Sequence, residues 1–263
     1  MSKSSTAKLL VDEVTSRIRD MIVSGQFEPG TKLSESVLAA DLAVSTTPVR
    51  EAIAALRSEG LVHVKPQSGT YVFDLSPDDL EQLCALRTTL EPEAVRLAVA
   101  RPGCRLGDDL AAIVDQMRAA QAEGDVQRYL SLDTVFHEAI IHASENPYFI
   151  KAYGLISAKM AAMRYKLGGD AHHMSKSMEE HDQIAQLIRR RAIRQVEKIL
   201  IGHIARKEGS YWEFLRARPS RMNGPDRRGK RGRLSPRWRP RTAAPRFPIR
   251  RSAPSADRAG AGR

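Results

Sequence analysis

Cysteine is nearly absent. Cys84 and Cys104, in a chain of 263 residues, make no disulfide framework, and neither belongs to a metal-binding Cys pair. No uninterrupted apolar run approaches the roughly 20 residues that a membrane span needs. The amino-terminal stretch has no signal-peptide pattern, because its first apolar residues already belong to an amphipathic helix. These absences predict a soluble, cytoplasmic protein with no membrane partner.

Acidic residues are scarce in one place only. The chain carries a formal charge of +11, but residues 216–263 hold 16 Lys/Arg against 2 Asp/Glu, leaving 26 against 29 in residues 1–215. The basic character therefore belongs to a tail, 217–263, rich in Arg, Pro, Gly and Ser. Its apolar residues, Leu234, Trp238, Phe247 and Ile249, are isolated, so the tail is expected to be disordered. Composition fits two roles equally: a salt-sensitive phosphate-binding arm, or an extension with no specific role. Upstream of it, about 215 residues suffice for two domains, with the boundary set at 75/76.

Residues 33–73 are the most informative stretch. A preceding helix over about Ala7–Ser24 places Leu10, Val14, Ile18, Met21 and Ile22 on one stripe of a 3.6-residue period. Ser34 is placed to cap a second helix that buries Val37, Leu38 and Leu42. A third starts near Ser45–Thr47, with Pro48 in its first turn, where a missing N–H loses no bond, and Val49, Ile53 and Leu56 as its buried stripe. Thr46, Thr47 and Arg50 fall on another face. Gly60 ends this helix, residues 61–65 extend, Pro66-Gln67-Ser68-Gly69 turns, and residues 70–73 return. Helix, tight turn, helix and β-hairpin outline a winged helix-turn-helix, a module that places one helix in the major groove.

An acidic residue before a Leu-Ala pair, the run Val44-Ser45-Thr46-Thr47-Pro48-Val49-Arg50-Glu51-Ala52, then Glu59-Gly60-Leu61 and a Gly69-tipped wing closely resemble the N-terminal domain of the GntR family of bacterial transcription regulators. The resemblance covers about residues 8–73. It implies a double-stranded operator DNA partner and a DNA-facing set of Glu35, Ser45, Thr46, Thr47, Pro48, Arg50, Lys65, Gly69 and Thr70. Thr46 stands where most members have an Arg that commonly contacts DNA, and Ser36 where some do. An Arg–guanine pair is worth roughly 1–3 kcal/mol of discrimination, so these departures predict altered or weakened operator preference.

Residues 76–216 read as helix throughout, a bundle with no strand pattern and no repeat. Ser76-Pro77-Asp78-Asp79 is a helix start, and further helices fall near 108–123, 126–144, 147–166, 175–190 and 192–215. Asp133 and His137 are four apart, on the face that carries Leu130 and Ile140. His181 shares a stripe with Ile184, Ala185 and Ile188, and His203 with Val196 and Leu200. Polar groups buried without partners cost several kcal/mol. A divalent metal would satisfy all four at once, and an N₃O donor set suits Zn²⁺ or Ni²⁺. Each histidine taken singly also fits a hydrogen-bonded core residue. His63 in the wing, His142, and His172-His173 after a Gly-rich break do not join the set.

Leu86-Arg87 with Leu90-Glu91, Asp133-x-x-x-His137, Asn146, His181 and His203 resemble the FCD effector domain of the FadR-type branch of the same family. The resemblance implies a metal at Asp133, His137, His181 and His203, and a small carboxylate effector at its open positions. Arg87, and more weakly Arg164, would pair with that carboxylate through two parallel hydrogen bonds; a surface or Glu-paired Arg87 is the plainer alternative. The expectation is a mainly α homodimeric regulator, a repressor released by its effector, and not an enzyme. An Asp/His₃ metallohydrolase is the alternative from another class, with Glu138, Glu179 and Glu180 as its nearest base candidates.

Overall fold

The computed structural model describes residues 3–167 and 171–205. Among them the chain forms nine helices and three short strands. The basic segment 217–263, the end of the expected 192–215 helix and the Gly168-Gly169-Asp170 break lie outside the described residues.

The N-terminal head begins with α1 (Lys3–Val23). Val14, Ile18, Met21 and Ile22 are buried as the periodicity predicts, but Leu10 is 40% exposed. Residues 7–10 are all exposed, so the buried stripe starts a turn later than the apolar pattern does. β1 (Lys32–Leu33), α2 (Glu35–Leu42), α3 (Thr46–Ser58), β2 (Val62–Lys65) and β3 (Gly69–Val72) follow. The predicted hairpin is a three-stranded antiparallel sheet in the order β1-β3-β2, with Lys32 opposite Tyr71 and Lys65 opposite Gly69. A two-residue strand is too short to show an alternation of period 2, which is why β1 leaves no sequence signature.

Ala43, in the left-handed region at φ 55°, ends α2 and allows the tight turn into α3. Two expectations for α2 need correction. It buries Leu38, Ala39 and Leu42, while Val37, about 100° round the helix from Leu38, is 47% exposed. Ser34 stands at the N-cap with extended backbone, but its hydroxyl meets the Ser36 hydroxyl at 3.0 Å and does not cap an amide. Ile18, Leu56 and Leu61 are fully enclosed in the head core, each contributing roughly 1.5–3 kcal/mol by burial.

The bundle starts at α4 (Pro77–Ala100), capped as expected. Ser76 Oγ accepts from the Asp79 amide at 3.1 Å, and the Ser76 amide donates to Asp79 Oδ2 at 2.9 Å. α5 (Leu106–Ala122), α6 (Val126–Ala143), α7 (Pro147–Leu167), α8 (Ala171–Arg189) and α9 (Ile193–Ile204) complete it. α6 packs against α4, α5 and α7, while α9 packs against α4 and α8. α8 starts one turn earlier than predicted and includes His172 and His173. Its first turn is anchored by the buried Met174, whose carbonyl accepts from Tyr129 Oη at 3.0 Å.

Head and bundle have separate apolar cores, and Leu75 packs against both. α7 also reaches across. It packs on α1, and its Ala162 belongs to the head's core while Met163 belongs to the bundle's. Gly60, at φ +71°, ends α3 beneath Lys159 of α7. A Cβ there would lie 2.6 Å from Lys159 Nζ, a flexible end that can swing aside, so it is the positive φ that calls for glycine.

Candidate functional site

Spacing four apart puts Asp133 and His137 on the inner face of α6. α8 brings His181 and α9 brings His203 to the same point. The three imidazoles each offer a ring nitrogen within 4.8 Å of the others. His137 and His181 are fully buried, Asp133 is 6% exposed, and the His203 side chain is 9% exposed. His137 Nε2 lies 3.3 Å from His203 Nε2. Asp133 approaches with Oδ1 3.7 Å from His181 Nε2 and Oδ2 3.9 Å from His137 Nε2. All four residues picked out by sequence periodicity meet.

Around them lies a layer of charged partners. His137 Nδ1 is 2.8 Å from Glu91 Oε2, and His203 Nδ1 is 2.7 Å from Glu180 Oε2. Arg87 Nε donates to Glu91 Oε1 at 2.7 Å, and Tyr153 Oη donates to the same oxygen at 3.2 Å. Arg164 Nε lies 2.5 Å from Asp133 Oδ2. Arg87 is therefore buried and Glu-paired, the plainer of its two sequence readings, and Arg164 reaches the cluster through Asp133. Sequence reasoning missed the roles of Glu91 and Tyr153. The Arg87/Glu91 spacing of four was a visible signal for an ion pair, but nothing local tied Glu91 to His137.

His181 is the exception in this network. Neither of its ring nitrogens has a hydrogen-bond partner, and its ring packs against Phe136 at 4.2 Å between centroids. An unsatisfied buried polar group costs roughly 1–3 kcal/mol. A divalent cation accepting the lone pair of His181, beside two more imidazoles and a carboxylate, removes that cost at one of the two nitrogens, so the residues present fit such an ion. The imidazoles favour their neutral, ligating form. Burial, reinforced by His203, brings His181 down to about 3, and burial brings His203 down to about 4. Burial and then Arg87 push His137 well below its usual value. For Asp133, burial works to raise the pKa, but the adjacent Arg164 prevails and holds the carboxyl well below the usual carboxylate range. Glu138 hydrogen-bonds Ser157.

At the other end of the chain, Ser45, Thr46, Thr47 and Arg50 are exposed around the first turns of α3, while Pro48 is buried beneath them. Arg50 Nε donates to Glu35 Oε2 of α2 at 3.0 Å, and the Arg50 side chain is 70% exposed. In the wing, Lys65 Nζ sits 4.9 Å from the centre of the Tyr71 ring. Gly69, at φ +120°, turns the strand where the Lys32 side chain approaches, and Thr70 follows half-buried. Helix N-terminus and wing thus present these polar side chains together with the exposed Val64 of β2.

Residues 10–72 match the family described as bacterial regulatory proteins, gntR family, and residues 82–206 match the FCD domain. Over 198 residues the chain is 30% identical to the Nta operon transcriptional regulator of Aminobacter aminovorans, covering 74% of this chain and 91% of that one. The chain belongs to the GntR family. It is a GntR regulator of the FCD branch, a DNA-binding transcription regulator and not an enzyme. The metallohydrolase alternative falls with that finding. The gluconate operon transcriptional repressor of Bacillus subtilis is 29% identical over 194 residues, 72% of this chain and 78% of that one. Among solved structures, Escherichia coli McbR/YncC has a TM-score of 0.65 at 23% identity, covering 74% and 93% of the two chains. A putative GntR regulator from Rhodococcus has a TM-score of 0.67 at 22% identity, covering 80% and 99%. These two likenesses establish the fold. GntR regulators bind operator DNA and act as dimers. Among the described residues, no helix is long and apolar enough to cross a membrane.

Proposed function

We propose that this regulator is a homodimeric repressor whose FCD bundle holds a divalent metal, Zn²⁺ or Ni²⁺, through Asp133, His137, His181 and His203, and whose operator affinity is set by a small organic acid bound beside it. The observation that carries this reading is His181, buried within a three-imidazole cluster with no hydrogen bond to either ring nitrogen. When bound, the metal supplies positive charge at which a carboxylate can coordinate.

Charge balance supports an anionic effector. Arg87 offsets Glu91, and Arg164 offsets Asp133. The three imidazoles are neutral, so a divalent ion brings two further positive charges into a buried site. Glu180, at His203, offsets one of them; one carboxylate offsets the other. Arg87 and Arg164, buried around the cluster, would orient it.

On the DNA side, the first turns of α3 enter the major groove of one half-site, with the wing at Lys65, Gly69 and Thr70 against the flanking backbone. Ser45 and Thr47 contact phosphate or base edges, and Arg50 reads a base. Two heads related by a dyad would read a palindrome. An effector that favours one arrangement of the heads shifts the population toward it. The domain limits that fit this division of labour are 1–75 for DNA and 76–216 for metal and effector. Cytoplasmic residence follows from that role.

The test is DNA binding by the full chain, titrated with salt on its own upstream region and on scrambled DNA of equal length, then repeated with a panel of carboxylates. Specific regulators prefer their site by roughly a thousandfold or more. That preference, weakened by a carboxylate only in metal-loaded protein, is the expected result. Equal binding to both DNAs would overturn the operator reading, and a carboxylate response indifferent to metal would overturn the effector site.

A further inference from the structure

Glu91 is wholly buried and lies outside the Asp/His₃ set, yet it touches both halves of the site. Its Oε2 is 2.8 Å from His137 Nδ1. Its Oε1 accepts from Arg87 Nε at 2.7 Å and from Tyr153 Oη at 3.2 Å. Beside a carboxylate oxygen, Nδ1 of a neutral imidazole must carry the proton, which leaves the lone pair on Nε2. Nε2 is the atom of His137 that faces His203 Nε2 at 3.3 Å and Asp133 Oδ2 at 3.9 Å. Glu180 makes the corresponding contact to His203 Nδ1. What distinguishes Glu91 is its second oxygen, which is committed to a buried arginine one turn earlier on the same helix.

We propose that Glu91 is a positioning residue that makes His137 an Nε2 ligand and, by sharing its charge between His137 and Arg87, ties metal affinity to the state of Arg87. The proposal rests on the metal-site reading above. A carboxylate accepting from an imidazole N–H raises the basicity of the other ring nitrogen. Arg87 draws on the same carboxylate and weakens that effect. An anionic effector that engages Arg87 therefore returns charge density to Glu91 and tightens the metal. By linkage the metal tightens the effector by the same factor.

The experiment measures Zn²⁺ affinity of the full chain by chelator competition, in wild type, Glu91→Gln and Arg87→Gln. It is paired with ¹⁵N spectra of the histidine rings in metal-free protein. Glu91→Gln is expected to weaken Zn²⁺ by about 10–100-fold, the range for loss of such a partner, and to move the His137 proton off Nδ1. Arg87→Gln is expected to act in the opposite direction, tightening Zn²⁺ severalfold, because it removes a competing cation. A merely structural role for the pair would weaken Zn²⁺ in both variants, and that outcome overturns the proposal. An unchanged Glu91→Gln overturns it while leaving the metal site standing. Wild-type protein that takes up no Zn²⁺ overturns the metal reading and the proposal with it. If neither variant folds, the wild-type spectrum decides: a His137 proton on Nε2 overturns the assignment.

Discussion

The two ends of this chain deploy polar residues in opposite ways. In the head, Ser45, Thr46, Thr47 and Arg50 stand in solvent around the start of α3. Arg50 is held at that surface by one exposed ion pair with Glu35, a contact worth at most about 1 kcal/mol. In the bundle, Arg87, Glu91, Asp133, His137, Arg164 and His181 are all inside, each charge matched within a few ångströms. The head leaves these groups loosely held in solvent, an arrangement that suits a partner too large to enclose. The bundle has already fixed its groups, as a small ligand with few contacts requires.

The sharpest way to break this contrast is His181→Ala, which removes the imidazole of the cluster that has no hydrogen bond. It is expected to abolish stoichiometric metal uptake, measured by elemental analysis of purified protein, and with it the carboxylate response. A full equivalent of metal in that variant would remove His181 from the ligand set. Acid should attack the bundle next. His181 and His203 resist protonation until about pH 3 and pH 4 in the folded chain, whereas histidine in the unfolded chain charges near 6.5. The unfolded state therefore binds more protons below pH 6.5, and stability of the metal-free protein should fall as pH drops from there toward 4. Denaturant midpoints across that range check this, and a flat profile would contradict it.

In the head, Leu56→Ala opens the enclosed core and should cost about 2–5 kcal/mol, seen as a lower denaturation midpoint. Smaller still are changes at the exposed face. Arg50→Ala should leave the midpoint nearly unchanged but lose about 1–3 kcal/mol of operator discrimination. Thr46→Arg should gain a comparable amount if the position faces a base. Competition binding with operator and scrambled DNA reads both, and equal losses on the two DNAs would reassign Arg50 to the phosphate backbone.

Most of the architecture was legible because it is written locally. The Ser76–Asp79 capping box, the turn between α2 and α3, and the four-residue step from Asp133 to His137 each lie within one or two helical turns. What failed was what depends on distant chain. Leu10 and Val37 continue apolar stripes, yet among the described residues both stay exposed. β1 exists only because β3 pairs with it. Glu91 and Tyr153 reach the histidines from other helices, so their roles arise from packing and not from spacing. The metal-competent residues were readable because all four lie on apolar faces, where a polar side chain demands an explanation.

α7 carries three consecutive residues with three different allegiances. Ala162 belongs to the head's core, Met163 to the bundle's, and the Arg164 guanidinium to Asp133. The head is consequently not a detachable cassette. A fragment ending near residue 75 would lose a wall of its own interior, and a chimera grafting this head onto a foreign bundle would have to import the 159–162 face of α7 along with it. The same constraint divides the head's own surface: the wing and the start of α3 can change without touching α7, whereas the underside of the head must keep fitting that helix.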